Sequence, residues 1–330
     1  MISVTGAFAV KRAPRLARVT TPALDKASGS GIAFAAVAYV LWGFLPVLFF
    51  ALRESSAVEI VSWRIVLSLV FCALLITVTR SWPKLVAVLR DRRTMLTLSL
   101  AAVFILVNWV VYVFASVSGH VVEASLGYFT NPIVTVLLGV IVLRERLRPL
   151  QWVALGVSAI AVLVIAIGYG SFPWIALTLA FSFGLYGLVK KRVGPSADAV
   201  SGLTIETAVL APAAAVVLVV LAATSGLSLG ALGTGHLLLT LSLGVATAVP
   251  LILFAAAARR LPLIYIGLAQ YIAPILQLAV GVVLLHEAMP VERWIGFGVV
   301  WLALIILTID MLRHANRQRG AALPEATGAP

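Results

Sequence analysis

Three ionisable residues inside or beside long apolar stretches could carry protons across a membrane. Glu206 lies within a stretch that is otherwise almost entirely uncharged, and His120 and Glu123 open another such stretch. A carboxylate in partly apolar surroundings can hold a proton near neutral pH and release it when water enters, and imidazole titrates in the same range. Glu206, His120 and Glu123 are therefore candidate proton-coupling residues.

Each of these residues also has a simpler interpretation. Glu206 could be a static anchor, His120 an ordinary loop histidine, and Glu123 an acid in a first helical turn, where bare backbone N–H groups favour negative charge. An ionisable group costs about 2.5 to 3.5 kcal/mol at the centre of a membrane span, so Glu206 in particular requires a reason for its position.

Amides, phenols and one arginine in the apolar segments could bind a polar organic solute. Asn108 and Tyr112 are four residues apart, so one helix face presents both. The alternatives are hydrogen bonds between helices, worth about 0.6 kcal/mol on average, and, for Arg64, extension of its long side chain to lipid headgroups. The candidate substrate-binding residues are Arg64, Asn108, Tyr112, Tyr128, Asn131, Gln270, Tyr271 and Gln277.

Two prolines lie in the interior of apolar segments. Pro132 and Pro274 each remove a backbone donor and so free a carbonyl four residues earlier, those of Tyr128 and Gln270. Interrupted helices mark the binding regions of many transporters, so both prolines predict helix breaks near a site.

The sequence shows no set of residues typical of an enzyme, a metal site or an ATP-driven pump. The single cysteine, Cys72, cannot form an internal disulfide. His286 and Glu287 are followed by Pro290 where a zinc helix would place its second histidine. We expect no cofactor, no metal and no enzymatic activity. The alternatives are an intramembrane enzyme acting on lipid-linked substrates and a membrane sensor or scaffold that transports nothing.

The composition is that of a membrane protein. Hydrophobic residues make up 62% of the chain and charged residues 11%, with a mean hydropathy of +1.12, whereas a soluble domain carries about 25% charged residues. The formal charge of +12 sits in short clusters between apolar segments, so we expect a lipid bilayer and a small solute as partners, and no nucleic acid. The oligomeric state stays open.

Ten segments are long and apolar enough to span a bilayer, which needs about 20 residues. The predicted fold is therefore an all-α membrane protein with ten transmembrane helices. The approximate segments are 32–52, 60–79, 95–117, 121–143, 150–168, 172–189, 203–224, 236–258, 263–285 and 293–312.

The second half of the chain repeats the first at an offset of 142 positions. Leu126, Pro132, Ile133, Gly139, Leu143, Glu145, Trp152 and Gly156 recur as Leu268, Pro274, Ile275, Gly281, Leu285, Glu287, Trp294 and Gly298. Apolar composition alone would not keep proline, glycine, glutamate and tryptophan in step. We predict a basic tail over 1–30, repeats over 31–168 and 172–312, and a second tail over 313–330.

The distribution of Lys and Arg predicts the orientation. Most of the 24 basic residues fall in the tails and in alternate loops, which places both termini in the cytoplasm. Five spans per repeat is an odd number, so the second repeat is inverted relative to the first, a construction typical of secondary transporters. Inversion places the equivalent residues Arg64 and Glu206 at different depths, which favours separate roles.

Several motifs resemble one known family. The pattern Gly139-x3-Leu143-x-Glu145, repeated at Gly281, Leu285 and Glu287, is similar to the EamA domain of the drug/metabolite transporter superfamily. SWRIVLS (62–68), NWVVYVFA (108–115), GHVVEASLGYFTNP (119–132), ETAVLAP (206–212) and LAQYIAPILQ (268–277) resemble its RarD branch of chloramphenicol-sensitivity permeases. The resemblance implies a ten-helix bacterial inner-membrane carrier. Our interpretation is an exporter of small organic metabolites or drugs that works by alternating access, with proton coupling as a hypothesis.

Overall fold

The computed structural model describes residues 29–143, 147–168, 172–193, 196–258, 260–261 and 269–322. Helices dominate these residues, and strands are absent from them. The predicted tail over 1–30 lies outside the described residues except for its last two positions, which begin the first helix. The end of the second predicted tail, 323–330, also lies outside the described residues.

Eleven helices follow one another along the described chain, and a single π-helical turn over Val280–Leu284 continues the tenth. Their bounds are α1 (Gly29–Ala51), α2 (Ala57–Val78), α3 (Trp82–Arg90), α4 (Arg92–Val117), α5 (Val121–Leu143), α6 (Pro149–Gly168), α7 (Trp174–Val193), α8 (Ala199–Thr224), α9 (Gly233–Ala258), α10 (Ile272–Ala279) and α11 (Val291–Ala322).

Seven of the described helices are long and apolar enough to cross a membrane. These are α1, α2, α4, α5, α8, α9 and the apolar part of α11. Three further apolar helices are shorter, over Pro149–Ala161, Trp174–Lys190 and Ile272–Leu284. The predicted class of all-helical, multi-span membrane protein is confirmed at this level.

Two helical regions lie outside the predicted spans. α3 occupies a basic segment where no span is expected, and its residues Leu85 and Val88 are buried against Ile76 and Ile205. Leu85 and Val88 are three positions apart and so share one face of α3. α11 continues through Ala322, into the predicted tail.

Helix packing brings distant parts of the sequence together. α6 packs on α11, α4 and α5 pack on α7, α2 packs on α8 and α9, and α1 packs on α9 and α10. Two glycines permit the closest approaches. A Cβ atom on Gly127 would lie 2.6 Å from the Ala176 carbonyl oxygen, and one on Gly244 would lie 2.5 Å from that of Leu67. Small residues at such crossings are typical of membrane helix bundles.

Asp198 fixes the start of α8, the helix that carries Glu206. Its carboxylate accepts the backbone N–H groups of Val200 and Ser201 and the hydroxyl of Ser201. Partial burial opposes ionisation, but these hydrogen bonds and the charge of Lys84 outweigh it and hold the pKa of Asp198 below its ordinary value.

Candidate functional site

Arg64 lies in the interior of the bundle. Its side chain projects from α2, is 5% exposed, and donates a hydrogen bond from Nε to the Thr247 hydroxyl of α9 at 2.9 Å. The guanidinium carbon is 4.2 Å from the centroid of the Trp109 ring and 5.4 Å from that of Phe49. Cation–π contacts of this kind hold the group in place and leave its N–H edge available. The position argues against extension to lipid headgroups.

An aromatic row crosses the bundle from the Arg64 region to α7. Neighbouring ring centroids are 5.8 Å apart for Phe49 and Tyr112, 5.4 Å for Tyr112 and Tyr128, and 6.0 Å for each of the next two pairs. Most of these contacts are edge to face, the arrangement that ring quadrupoles favour. The row consists of Phe49, Tyr112, Tyr128, Phe183 and Tyr186.

Glu206 occupies the far end of the aromatic row. It is 1% exposed, accepts a hydrogen bond from Lys190 at 2.7 Å on one oxygen, and accepts one from the Tyr186 hydroxyl at 3.2 Å on the other. Gly202 leaves room for the ammonium, since a Cβ atom there would lie 2.8 Å from Lys190 Nζ. A buried carboxylate is stable when paired and hydrogen-bonded in this way.

Lys190 is a site residue that the sequence analysis missed. The predicted segment 172–189 ends one residue before Lys190, whereas α7 continues through Val193 and carries Lys190 near its end. The available signal was its spacing of four residues from Tyr186, which places both side chains on one helix face.

Asn108 uses its amide to connect three helices. Its Nδ2 donates to the Leu179 carbonyl at 3.2 Å and to the Ser182 hydroxyl at 3.1 Å, both on α7, and its Oδ1 accepts from the Tyr128 hydroxyl at 2.9 Å. Tyr112, one turn away, is buried beside it. The amide therefore matches the alternative interpretation of interhelical hydrogen bonding.

The other candidate amides and phenols face different neighbours. Gln277 is buried and donates to the Trp42 carbonyl of α1 at 3.3 Å. Tyr271 is half-buried and packs against an apolar cluster that includes residues of α11. Asn131 is half-buried on α5, and its Oδ1 lacks a partner among the described residues. Gln277 of α10 and Tyr271, which directly precedes that helix, thus contact neighbours outside the aromatic row.

His120 and Glu123 lie where α4 turns into α5. His120 shares a hydrogen bond of 3.1 Å with the Ser118 hydroxyl and stacks on Phe114. Glu123 accepts the backbone N–H of Ile175 at 3.1 Å, so its charge faces the N-terminus of α7.

The two prolines lie in different surroundings. α5 runs through Pro132 without a break, whereas Pro274 lies in the first turn of α10, directly after a turn at Gln270 and Tyr271, and its missing N–H has no intrahelical acceptor there. A second irregular element is the π-helical turn that includes Gly281. A Cβ atom on Gly281 would lie 2.8 Å from a Val122 methyl and 3.2 Å from the Val122 nitrogen, so the close approach to α5 explains the glycine.

A further carboxylate, Glu59, forms a connection that the sequence does not predict. Glu59 accepts the backbone N–H of Ser228 at 2.9 Å and its hydroxyl at 2.7 Å. Ser55 contacts the Ser228 hydroxyl at 2.5 Å and Nε2 of His236 at 2.9 Å. We call Glu59, Ser55, Ser228 and His236 the α2–α9 corner.

Glu287 caps α5. Its two oxygens accept the backbone N–H groups of Val121 and Val122 at 2.6 and 2.8 Å. Glu287 thus ties the segment before α11 to the start of α5. Its repeat partner, Glu145, lies outside the described residues.

A second buried ion pair joins Asp310 of α11 to Arg148, which directly precedes α6. Asp310 is 6% exposed. Glu206 is therefore not the only buried carboxylate within the apolar helices. Asp310 lies near the end of the predicted span 293–312, whereas α11 continues well beyond it.

The site places two kinds of charge at opposite ends of the aromatic row. One is Arg64, which has no carboxylate partner among the described residues, and the other is the Lys190–Glu206 ion pair. Among the described residues, no cluster of His, Cys, Asp and Glu could hold a metal ion.

Comparisons with known proteins agree with this architecture. Residues 29–167 match the model of the EamA-like transporter family. A solved crystal structure of a protein that is 17% identical superimposes with a TM-score of 0.55 and covers 85% of this chain and 98% of its own, which shows a shared fold.

Three curated relatives cover most of the chain. Protein RarD of Streptomyces exfoliatus is 47% identical over 91% of this chain and 96% of its own. The uncharacterized transporter YojE of Bacillus subtilis is 40% identical, covering 86% and 95%. Protein RarD of Escherichia coli is 37% identical, covering 88% and 98%. This identity over nearly the full length shows that the chain belongs to the EamA-like transporter family, in its RarD-like branch.

Proposed function

We propose that this membrane transporter is a secondary-active exporter of small organic metabolites or drugs in a bacterial inner membrane, with both termini in the cytoplasm. It works by alternating access, and protons drive it through Glu206. The observation that carries the proposal is the aromatic row, with the buried Arg64 at one end and the buried Glu206, paired with the partly exposed Lys190, at the other.

Helix packing supports a construction from two five-helix repeats. At the offset of 142 positions, α1 is equivalent to α7, α4 to α9 and α5 to α10. Exchanging each helix for its equivalent turns the contact of α4 with α7 into that of α9 with α1. The contact of α5 with α7 becomes that of α10 with α1 in the same way. Both members of each pair occur. Such exchange symmetry is expected of two repeats related by an axis in the membrane plane.

Individual residues obey the same symmetry. A Cβ atom on Gly43 would lie 2.6 Å from the Leu276 Cβ, and one on Gly184 would lie 3.2 Å from a Val134 methyl. Gly43 and Gly184 are equivalent at an offset of 141, and Val134 and Leu276 at 142. One repeat contact is therefore made twice, once by each half.

Three carboxylates tie one half to the other at the same end of the bundle. Glu59 binds the segment before α9, Glu123 binds the start of α7, and Glu287 binds the start of α5. If successive apolar helices cross in opposite directions, all three ties lie at the face away from the basic loops, which is the outer face. Alternating access requires such contacts to form in one state and break in the other.

Proton coupling through Glu206 has a simple physical basis. Protonation of the carboxylate removes its attraction for Lys190, and deprotonation restores the ion pair. Either change alters the balance of charge between α7 and α8 beside the aromatic row. A proton gradient can therefore shift the equilibrium between the paired and the unpaired forms of Lys190 and Glu206.

Flux measurements on purified protein in vesicles test the proposal. Vesicles receive a panel of metabolites and drugs with and without a proton gradient, for the native chain and for Glu206→Gln. We expect gradient-driven flux of at least one solute by the native chain. The variant should lose this dependence while retaining exchange between equal pools, because exchange needs no net proton movement. If the variant loses both exchange and gradient-driven flux, or keeps both, Glu206 is not the coupling residue.

A further inference from the structure

Arg64 is a buried cation whose charge is not neutralised within the described parts of the chain. Its side chain is 5% exposed, and the ion pairs found there join Arg148 to Asp310 and Lys190 to Glu206, not Arg64 to a carboxylate. Its Nη1 atom is buried and has no hydrogen-bond partner in the same region. An uncompensated charge in an apolar interior is costly, so its persistence indicates a function.

The surroundings fix the orientation of the guanidinium without satisfying it. Thr247 accepts from Nε on one side, and the rings of Trp109 and Phe49 contact the group at 4.2 and 5.4 Å. A guanidinium held in this way keeps its planar fork of N–H donors ready for a second, planar acceptor. That geometry matches a carboxylate bound through two parallel hydrogen bonds.

A second unsatisfied group lies beside Arg64. The Tyr112 hydroxyl is buried and has no hydrogen-bond partner among the residues that the structure describes. The two side chains share a neighbour, because the Phe49 ring contacts both. An unpaired buried hydroxyl carries a desolvation cost that a ligand oxygen would remove.

We propose that Arg64 and Tyr112 form the binding site for the carboxylate group of an organic acid, whose apolar body lies against Phe49 and the neighbouring rings of the aromatic row. This inference rests on the proposed function and names its substrate class. A single cation in an apolar setting matches a single negative charge, which favours a monocarboxylate over a doubly charged phosphate. The aromatic rings favour acids with an aromatic or long apolar body.

Binding to the purified full chain in detergent tests this inference without any transport. The probes are phenylacetate, indole-3-acetate and octanoate, each compared by calorimetry with its neutral amide, and inorganic phosphate. Each amide closely matches its acid in shape and lacks only the charge. We expect at least one acid to bind at least tenfold more tightly than its amide, with phosphate binding more weakly still. Equal affinity for acids and amides throughout, or tighter binding of phosphate, would overturn the proposal.

Three variants locate the site. Arg64→Gln should weaken binding of the preferred acid at least tenfold, whereas the exposed Arg53→Gln in the neighbouring segment should leave it unchanged. Tyr112→Phe removes only the unpartnered hydroxyl, so it should fold normally and weaken binding about threefold to tenfold. If Arg64→Gln fails to fold, Arg64→Lys supplies the test, because a point charge cannot form the two parallel bonds. Native affinity in Tyr112→Phe and in either folded Arg64 variant would contradict the assignment.

The same experiments separate this inference from the proposed function. Charge-selective binding that depends on Arg64, without any flux in vesicles, would sustain the acid site and refute transport. Flux of solutes that is insensitive to Arg64→Gln would sustain transport and refute the acid site.

Discussion

At the scale of single residues, the buried polar groups divide into those that are satisfied within the bundle and those that are not. Asn108 uses both ends of its amide on α5 and α7, and Glu206 uses both oxygens on α7. Arg64 and Tyr112 each keep a donor without a partner in the described chain. Satisfied groups hold helices together, whereas unsatisfied ones are available to a ligand.

Asn108→Ala should destabilise the fold. The change leaves the Tyr128 hydroxyl without its acceptor and removes the donor to the Ser182 hydroxyl, at a cost of about 1 to 3 kcal/mol. Thermal unfolding in detergent measures the loss. Asn131→Ala is the matched control, since its Oδ1 has no partner among the described residues. Equal melting temperatures for the two variants would show that the Asn108 hydrogen bonds contribute nothing.

The Lys190–Glu206 pair should behave as a coupled unit. Lys190→Met leaves a carboxylate that is 1% exposed without its counterion, and we expect a loss of about 3 kcal/mol, at the lower end of the range because Lys190 is itself 28% exposed. Adding Glu206→Gln should recover most of that loss. Unfolding free energies of the two single variants and the double variant give the coupling energy. Additive effects would show that the two charges are independent.

At the scale of helices, close approach at glycines determines where neighbours cross. Gly244→Ala should separate α9 from α2, because the new Cβ would lie 2.5 Å from a backbone oxygen that cannot rotate away. Overpacking of this kind costs about 1 to 3 kcal/mol. Gly235→Ala on the same helix has open space around its Cβ position and should be neutral or slightly stabilising. Melting temperatures distinguish the two, and equal values would contradict the packing.

The sequence predicts the helices well where hydropathy decides and poorly where tertiary contacts decide. Apolar length identifies α1, α2, α4, α8 and α9 within a few residues. It does not identify α3, which is amphipathic and short, nor the π-helical turn, which depends on the fit of Gly281 against Val122.

The candidate site shows the same division. Arg64 and Glu206 are recognisable because charge is rare in apolar segments. Thr247, the partner of Arg64, is not recognisable, because packing rather than local composition sets the contact between α2 and α9. Lys190, the partner of Glu206, is recognisable only by its spacing from Tyr186, since hydropathy does not show that α7 extends to it. Pro132 predicts a helix break that α5 does not have, since α5 stays continuous through this residue within the bundle.

At the scale of the whole molecule, the proposed orientation has a direct test. Single cysteines at positions 90 and 232, introduced into Cys72→Ser, lie at exposed sites in opposite faces of the proposed topology. The basic residues around position 90 predict that it reacts with an impermeant thiol reagent only from the cytoplasm, and position 232 only from outside. Labelling of intact cells and of inverted vesicles checks both positions. The reverse pattern at both would invert the topology.

The most direct measurement of alternating access uses the α2–α9 corner, where Ser55 of one half meets Ser228 of the other. Their hydroxyl oxygens are 2.5 Å apart, so cysteines at these positions in Cys72→Ser can form a disulfide. If the halves must part here in each cycle, oxidation should abolish vesicle flux of the transported solute and reduction should restore it. Each single-cysteine variant should retain its flux under both conditions. A fully cross-linked protein that transports as fast as the same protein after reduction of its disulfide would contradict the account.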